Sequence, residues 1–251
     1  MHFRIAVSLA CLACILRVGP AYGQPAGAPL PPQVPATRLQ LGDLYLGLGA
    51  GAFVPGSPSF SGTGLLGGLP VTSNGRLKLN AGPAATIFSS YEFVRHFSIE
   101  GQIGYSRTEV DQFAGSFSMP GLGSLNGGFP IKGNIQTLAG FANLVFTPLS
   151  DRNKIFPYIG AGIGFASSWA NLDSVSVNGA VLPLNTRSAA TSFAIDALIG
   201  ADYRLSEHGN IGLVYQFSRT NASDLGSTRS FAAKTGAFTA SIFAALFEYR
   251  F

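Results

Sequence analysis

The stretch Phe193-Ala-Ile-Asp-Ala-Leu-Ile-Gly-Ala-Asp-Tyr-Arg204 decides the fold class of this chain. Alternate residues from Phe193 to Tyr203 are apolar or aromatic, and the residues between them include Asp196, Asp202 and Arg204. Successive side chains of a β-strand point to opposite faces, so this segment has one apolar face and one face that carries charges. About ten residues of such alternation are typical of a strand in a transmembrane barrel.

The same period of two recurs along the chain. Four further segments show it clearly: Leu44 to Gly51, Phe97 to Tyr105, Ile211 to Ser218 and Phe243 to Phe251. Three more are strand-like, and the facing of the first two is ambiguous: Ala84 to Phe93, Asn134 to Phe146 and Tyr158 to Trp169. With the first stretch they predict an all-β fold, a single eight-stranded antiparallel transmembrane β-barrel, because an even strand number suits a barrel that closes with both ends on one side.

A membrane-spanning helix is the alternative for the uncharged stretch Ile155 to Leu172, which contains the helix-packing spacing Gly160-x-x-x-Gly164. Pro157 lies near its start, however, and Gly160, Gly162 and Gly164 repeat with the period of a strand. Only helices and closed barrels pair every backbone amide within lipid. A chain with 47% hydrophobic and 11% charged residues but no convincing helix is therefore predicted to close into a barrel.

The connections between the predicted strands alternate in length. The short ones are Glu92 to His96, Pro148 to Lys154 and Leu205 to Gly209. The long ones are Val54 to Gly82, Arg107 to Gly133, Ala170 to Ala190 and Arg219 to Thr235. Short periplasmic turns and long outer loops are characteristic of outer-membrane barrels, and a soluble β-sandwich has no reason to show this alternation.

The first residues predict export. Met1 to Arg4 is a short basic start, Ile5 to Leu16 is apolar, and Ala21-Tyr-Gly23 is a cleavage site for signal peptidase. We therefore expect a signal peptide at 1–23, a proline-rich disordered leader at 24–42 and the barrel at 43–251. Both cysteines of the chain lie in the signal peptide, so the exported part would contain neither a disulfide nor a cysteine metal site.

Three segments give the chain a family resemblance. They are Tyr45-Leu-Gly-Leu-Gly-Ala-Gly51, Pro157-Tyr-Ile-Gly-Ala-Gly-Ile-Gly-Phe165 and the ending Phe247-Glu-Tyr-Arg-Phe251. From Leu41 to Phe251 the chain resembles the OmpA-like and opacity-protein family of small outer-membrane barrels. The resemblance implies a place in the bacterial outer membrane, contact with its lipid and lipopolysaccharide, and Tyr249 and Phe251 as a C-terminal signal for the barrel-assembly machinery.

The polar faces of the predicted strands put a cluster of charges inside the barrel. Its members are Glu100, Asp196, Asp202, Arg204, Glu248 and Arg250. They could line a narrow ion path or form a salt-bridged plug. The interior of an eight-stranded barrel is just filled by side chains, and buried charges are tolerated when paired, so the plug is favoured. The last four charges of this set would pair near the periplasmic end.

Catalytic motifs are weak in this sequence. His96, Ser98 and Glu100 share one strand face and contain the H-x-S spacing of some outer-membrane lipid A deacylases, but neighbours along a strand do not make a triad. The segment Gly62 to Gly67 matches G-x-G-x-x-G, yet no helix follows it, so we predict a flexible outer loop. With three histidines in all, no metal or cofactor site is expected.

Aromatic residues near the predicted strand ends are interpreted as an interfacial girdle rather than a ligand platform. They are Tyr91, Trp169, Tyr203, Tyr249 and Phe251. The scattered basic residues give no sign of nucleic-acid binding. The sequence favours a barrel without catalysis that has a structural, surface-exposed role in envelope integrity or adhesion. A small-solute, porin-like channel and a lipid A-modifying enzyme remain open alternatives, and any surface ligand is unidentified.

Overall fold

The computed structural model describes residues 44–66, 69–121, 123–149, 154–177, 179–228 and 231–251. The predicted signal peptide and leader lie outside these residues. The described chain forms twelve β-strands: β1 (Leu44–Pro55), β2 (Ser59–Leu66), β3 (Leu69–Leu79), β4 (Gly82–Val94), β5 (Phe97–Met119), β6 (Gly123–Phe146), β7 (Ile155–Val177), β8 (Ala180–Arg204), β9 (Gly209–Thr220), β10 (Ser223–Thr228), β11 (Phe231–Thr235) and β12 (Phe238–Arg250). No helix in this part of the chain is long and apolar enough to cross a membrane.

Eight of the strands close into an antiparallel ring in the order β1, β4, β5, β6, β7, β8, β9, β12. The ring closes because β1 pairs with β4 on one side and with β12 on the other. At the centre of this seam Leu48 lies opposite Ile87 of β4 and Phe247 of β12. Closure leaves no unpaired sheet edge in the ring, which confirms the predicted eight-stranded barrel.

The two faces of the ring have opposite character, as the period of two predicts. In β8 the side chains of Phe193, Ile195 and Ile199 are exposed on the outside, whereas Ala194 and Asp196 are buried inside. The facing of the two ambiguous segments is also settled: the ring turns Ile87 of β4 and Leu144 of β6 outward. An outer surface on which residues such as Leu213 are 70% exposed suits contact with lipid rather than water.

The predicted long outer loops are largely strand, and this part of the prediction was wrong. Strands β5 and β6 stay paired as far as Met119 and Gly123, and β7 and β8 as far as Val177 and Ala180. Glycines with φ of 81°, 89° and 84° lie in these two tight turns, at positions 121, 123 and 179. Serine, asparagine and glycine suggested loops because they favour turns, but here neighbouring strands supply the backbone partners.

The other two predicted loops form β-hairpins. Strands β2 and β3 pair with each other, as do β10 and β11, and β11 also pairs with β2. The G-x-G-x-x-G segment, predicted to be a flexible loop, lies largely in β2, where Gly62 is opposite Ser73 and Ala233. Strand β3 continues the sheet by pairing with the outer part of β5.

These strands extend the barrel beyond the ring, and we call the extension the crown. It comprises β2, β3, β10 and β11 with residues 110–119, 123–132, 174–177 and 180–183. Its interior holds the largest cluster of buried apolar residues among the described ones, the crown core: Phe60, Leu77, Val110, Phe113, Phe129, Ile131 and Val175. Phe113, only 1% exposed, packs edge-on against Phe60 with ring centroids 5.9 Å apart. The crown therefore has a core of the kind found in soluble proteins.

Candidate functional site in the barrel interior

A layer of hydrogen-bonded polar side chains crosses the interior of the ring. Gln102 of β5 and Gln216 of β9 lie on opposite sides of the ring and bond to each other reciprocally, with N–O distances of 3.1 and 2.9 Å. Gln216 also donates to Asp196 of β8 at 2.6 Å, and Asn143 of β6 donates to Glu100 of β5 at 3.1 Å. We call these five residues the polar layer.

The polar layer is deeply buried and tightly fitted. Gln216 and Asn143 are each 2% exposed. Gly162 of β7 makes room for the layer, because a Cβ atom there would lie 1.9 Å from Asn143 Oδ1 and 2.6 Å from Asp196 Oδ1. Those two oxygens have no hydrogen-bond partner among the described residues. The period-two glycines that identified this strand therefore also have a packing role on its inner face.

Above the polar layer, towards the crown, lies an apolar cavity of about 140 Å³, the upper cavity. Gln102 and Gln216 form its floor, and Phe60 and Leu77 of the crown core contribute to its upper wall. Between these levels small and apolar side chains from all parts of the ring line it, Ala166 among them. None of the described residues that line this cavity is charged.

Below the polar layer, towards the short connections, lies a larger and polar cavity of about 660 Å³, the lower cavity. Four members of the predicted charge cluster line it: Glu100, Asp202, Arg204 and Glu248. Glu100 belongs to the polar layer as well, whereas Asp196 belongs to the polar layer alone. The predicted set is thus divided between two levels of the interior.

The charged side chains of the lower cavity have specific neighbours. The Arg204 guanidinium lies over the Phe156 ring at 4.6 Å, and Arg250 lies over Tyr45 at 5.7 Å. Asn210 donates a hydrogen bond to Glu248 at 3.3 Å. These cation–π contacts anchor both guanidinium groups on aromatic rings near the end of the barrel with the short connections.

The candidate catalytic residues do not assemble into a chain of hydrogen bonds. His96, Ser98 and Glu100 all line the lower cavity, but the His96 ring nitrogen Nδ1 lies 2.8 Å from the Thr147 carbonyl oxygen. Glu100 accepts its hydrogen bond from Asn143. The imidazole is therefore held by the neighbouring connection rather than by the hydroxyl or the carboxylate that a triad would need.

The cross-barrel glutamine pair was not predicted from the sequence. Both glutamines lie on predicted polar faces, but they are 114 positions apart, and the pairing of distant strands is not encoded in the local period. The available signal was that each glutamine stands on the polar face of a strand with a period of two, which predicts only that both side chains point inward. No group of three or more potential metal ligands occurs among the described residues.

The predicted girdle aromatics lie at two levels of the barrel. Trp169 faces outward next to the crown, where it pairs with Ala189 of β8. Tyr203, Tyr249 and Phe251 are exposed at the opposite end, and the rings of the last two lie 5.1 Å apart. Tyr91 pairs with Leu44 at that same end.

A closed ring of eight strands with an apolar exterior and a polar layer inside defines a membrane-spanning β-barrel. The sequence of residues 32–251 matches the family model described as "Outer membrane protein beta-barrel domain". The chain therefore belongs to this family and lies in the bacterial outer membrane. Its ring is in contact with the lipid bilayer, the layer that also contains lipopolysaccharide.

Several solved structures of outer-membrane barrels are similar to this one. Neisserial surface protein A is 13% identical, with a TM-score of 0.42 over 83% of this chain and 97% of that one. OprG from Pseudomonas aeruginosa is 16% identical, with a TM-score of 0.43 over 82% and 95%. The outer membrane protease OmpT from Escherichia coli is 8% identical, with a TM-score of 0.41 over 83% and 96%. No curated protein sequence matches the chain.

Proposed function

We propose that the protein is a non-enzymatic, surface-exposed barrel with a structural role in the outer membrane, which presents its crown to the surroundings of the cell. The observation that carries this proposal is the crown core. An outer extension with a buried core holds a fixed shape, whereas open loops would not. A fixed shape suits envelope support and adhesion, since a preformed surface loses little conformational entropy on contact.

The interior argues against the porin-like alternative. A channel needs a continuous water-filled path, but Gln102 and Gln216 bond to each other across the ring. Above the upper cavity, the crown core adds a section packed with buried apolar side chains to any path. Apolar constrictions exclude water and so stop ion flow. The six predicted interior charges are accordingly proposed to stabilise the closed interior rather than to conduct.

The best candidate for a catalytic residue, His96, lies at the end of the barrel opposite to the outer leaflet. His96 lies in the connection between β4 and β5, one of the short connections that face the periplasm in this class of barrel. A lipid A-modifying enzyme has to act in the outer leaflet. Exposure of the Tyr249 and Phe251 rings near the C-terminus supports their proposed role as an assembly signal.

Orientation and exposure can be tested by cysteine labelling. Asn126 in the crown and Glu207 in a short connection are both exposed. In intact cells, a membrane-impermeant maleimide should modify Asn126→Cys and leave Glu207→Cys unmodified until the outer membrane is permeabilised. Equal labelling of both variants in intact cells, or labelling of the Glu207→Cys variant alone, would refute the proposed orientation.

Two measurements separate the proposal from its alternatives. In planar lipid bilayers the purified protein should give no stable conductance steps, and reproducible ohmic steps would favour the channel. Mass spectrometry of lipid A from cells with and without the protein should show the same species. A new deacylated or otherwise modified species that disappears in a Ser98→Ala variant would favour the enzyme.

A further inference from the structure

We propose that the upper cavity is a binding site for a small apolar molecule about the size of a single benzene ring. This site goes beyond the surface role proposed above, which would hold whether or not the cavity is filled. The cavity lies inside the barrel, between the polar layer and the crown core. Its position, wall chemistry and size each point to an apolar occupant.

The wall is mostly apolar, and several of its polar groups are already paired with protein partners. Gln102 bonds to Gln216 and to Thr86, whose own hydroxyl donates to the Ile103 carbonyl. The hydroxyls of Thr137 and Ser168 bond to each other at 2.9 Å. A buried water molecule needs about two to four polar partners, and these paired groups are not free to supply them.

The size of the cavity selects a compact molecule. Its volume is about 140 Å³, and an engineered apolar cavity of about 150 Å³ in another protein stays dry and binds benzene or xenon. An empty apolar cavity leaves its lining atoms without contacts on one side, so an occupant that restores those contacts binds favourably. The lower cavity, lined by Glu100, Asp202, Arg204 and Glu248, offers no such environment.

The inward and outward methyl groups of the barrel provide the test. Leu77, Ile135 and Val214 line the upper cavity, while Ile103, Ile199 and Leu213 are exposed towards lipid. The full-length exported protein would be placed in nanodiscs of deuterated lipid and titrated with benzene, followed by ¹³C-methyl NMR. We expect saturable shifts and benzene-to-methyl NOEs at the inward set, and only linear, non-saturating shifts at the outward set.

A matched pair of variants locates the site. Ala190 lines the upper cavity, whereas the preceding residue, Ala189, is exposed on the outer face of the same strand. Ala190→Phe should weaken benzene binding at least tenfold, and Ala189→Phe should leave it unchanged. Both variants would first be checked for barrel closure by heat-modifiable migration on SDS gels. The NOEs of the unaltered protein need no variant and test the site even if Ala190→Phe does not fold.

Other occupants give distinguishable results, and each would overturn the proposal. In nanodiscs of protonated lipid, NOEs from acyl-chain protons to the inward methyls would mean that a lipid chain fills the cavity. Water-to-methyl NOEs at the inward set, without benzene NOEs, would mean a hydrated cavity. Linear shifts of equal slope at both sets of methyls would mean that benzene only partitions into the lipid. None of these results would change the outcomes that the surface role predicts for cysteine labelling and for conductance.

Discussion

The substitution Gln216→Ala tests whether the polar layer ties opposite walls of the barrel together. Gln216 makes three side-chain hydrogen bonds, two with Gln102 and one to Asp196. A protein hydrogen bond contributes about 0.5–1.5 kcal/mol net, and a buried polar group left without a partner costs about 1–3 kcal/mol. Because the substitution also removes the donor to the buried Asp196 carboxyl group, we expect a loss of about 3–5 kcal/mol in the free energy of unfolding.

The assay is denaturant unfolding of the barrel in lipid vesicles, followed by the fluorescence of Trp169, the single tryptophan of the chain. Gln136→Ala is the control, because Gln136 accepts a hydrogen bond from the exposed Tyr105 hydroxyl. This variant should lose less than about 1 kcal/mol in the free energy of unfolding. The double variant Gln216→Ala with Asp196→Ala should lose less stability than the sum of the single losses, since no buried Asp196 carboxyl group is then left without its donor. A loss below about 1 kcal/mol for Gln216→Ala, or strict additivity, would refute the cross-barrel tie.

Three further predictions concern other parts of the barrel, and they are tested by the same unfolding assay or by protease digestion and gel mobility. Gly162→Ala should cost about 1–3 kcal/mol because its Cβ would collide with the polar layer, while Gly101→Ala, with nothing within 4 Å, should be neutral; equal losses would contradict this. Asp111 is an extra residue in β5 opposite β3, a β-bulge after which Phe113 points inward. Deleting Asp111 should turn Phe113 outward and make the crown sensitive to protease while the ring stays heat-modifiable, whereas Asp111→Ala, which keeps the bulge, should leave the crown resistant. A protease-resistant deletion variant would be evidence against a crown core that depends on the bulge. Arg204→Ala should lower the melting temperature through loss of its cation–π contact, worth about 0.5–2 kcal/mol, and an unchanged melting temperature would count against that contact.

Most of the ring could be predicted from sequence because lipid imposes one simple rule on it. Every outward position has to be apolar, so strands such as Phe193 to Arg204 have a clear period of two. The same rule could not reveal which inner residues meet. Gln102 and Gln216 come together only through the registers of the strands between them, and register is a property of the closed sheet.

The six predicted interior charges illustrate the same limit. Their inward facing follows from the period of two, but their height in the barrel depends on how far each strand is shifted against the next. Asp196 and Asp202 lie six residues apart on β8, and this separation puts the first in the polar layer and the second in the lower cavity. The sequence pattern shows that both side chains face inward but not their heights in the barrel, so it predicted a single cluster.

The crown escaped prediction for a different physical reason, which lies in the β-bulges. In β5 the buried positions are even-numbered up to Val110, and the next buried one is Phe113. Opposite β3, Val110 pairs with Leu79 and Gln112 with Lys78, so Asp111 is an extra residue in β5, and such a bulge places the following residues on the opposite face. A search for one continuous period therefore ends at the bulge and reads the residues beyond it as a loop.

The bulges also explain how one strand can pass from the lipid into the water outside the membrane. Below the bulge of β5 its apolar residues, such as Ile103, face lipid, and above it Phe113 faces the crown core. Strand β7 has a similar bulge, since Leu172 and Ser174 pair with the successive residues Gly133 and Lys132 of β6, and Val175 beyond it is buried. Outside the membrane the outward face meets water, so the apolar face has to turn inward. The chain makes this change within continuous strands, and the crown core therefore lies directly above the upper cavity.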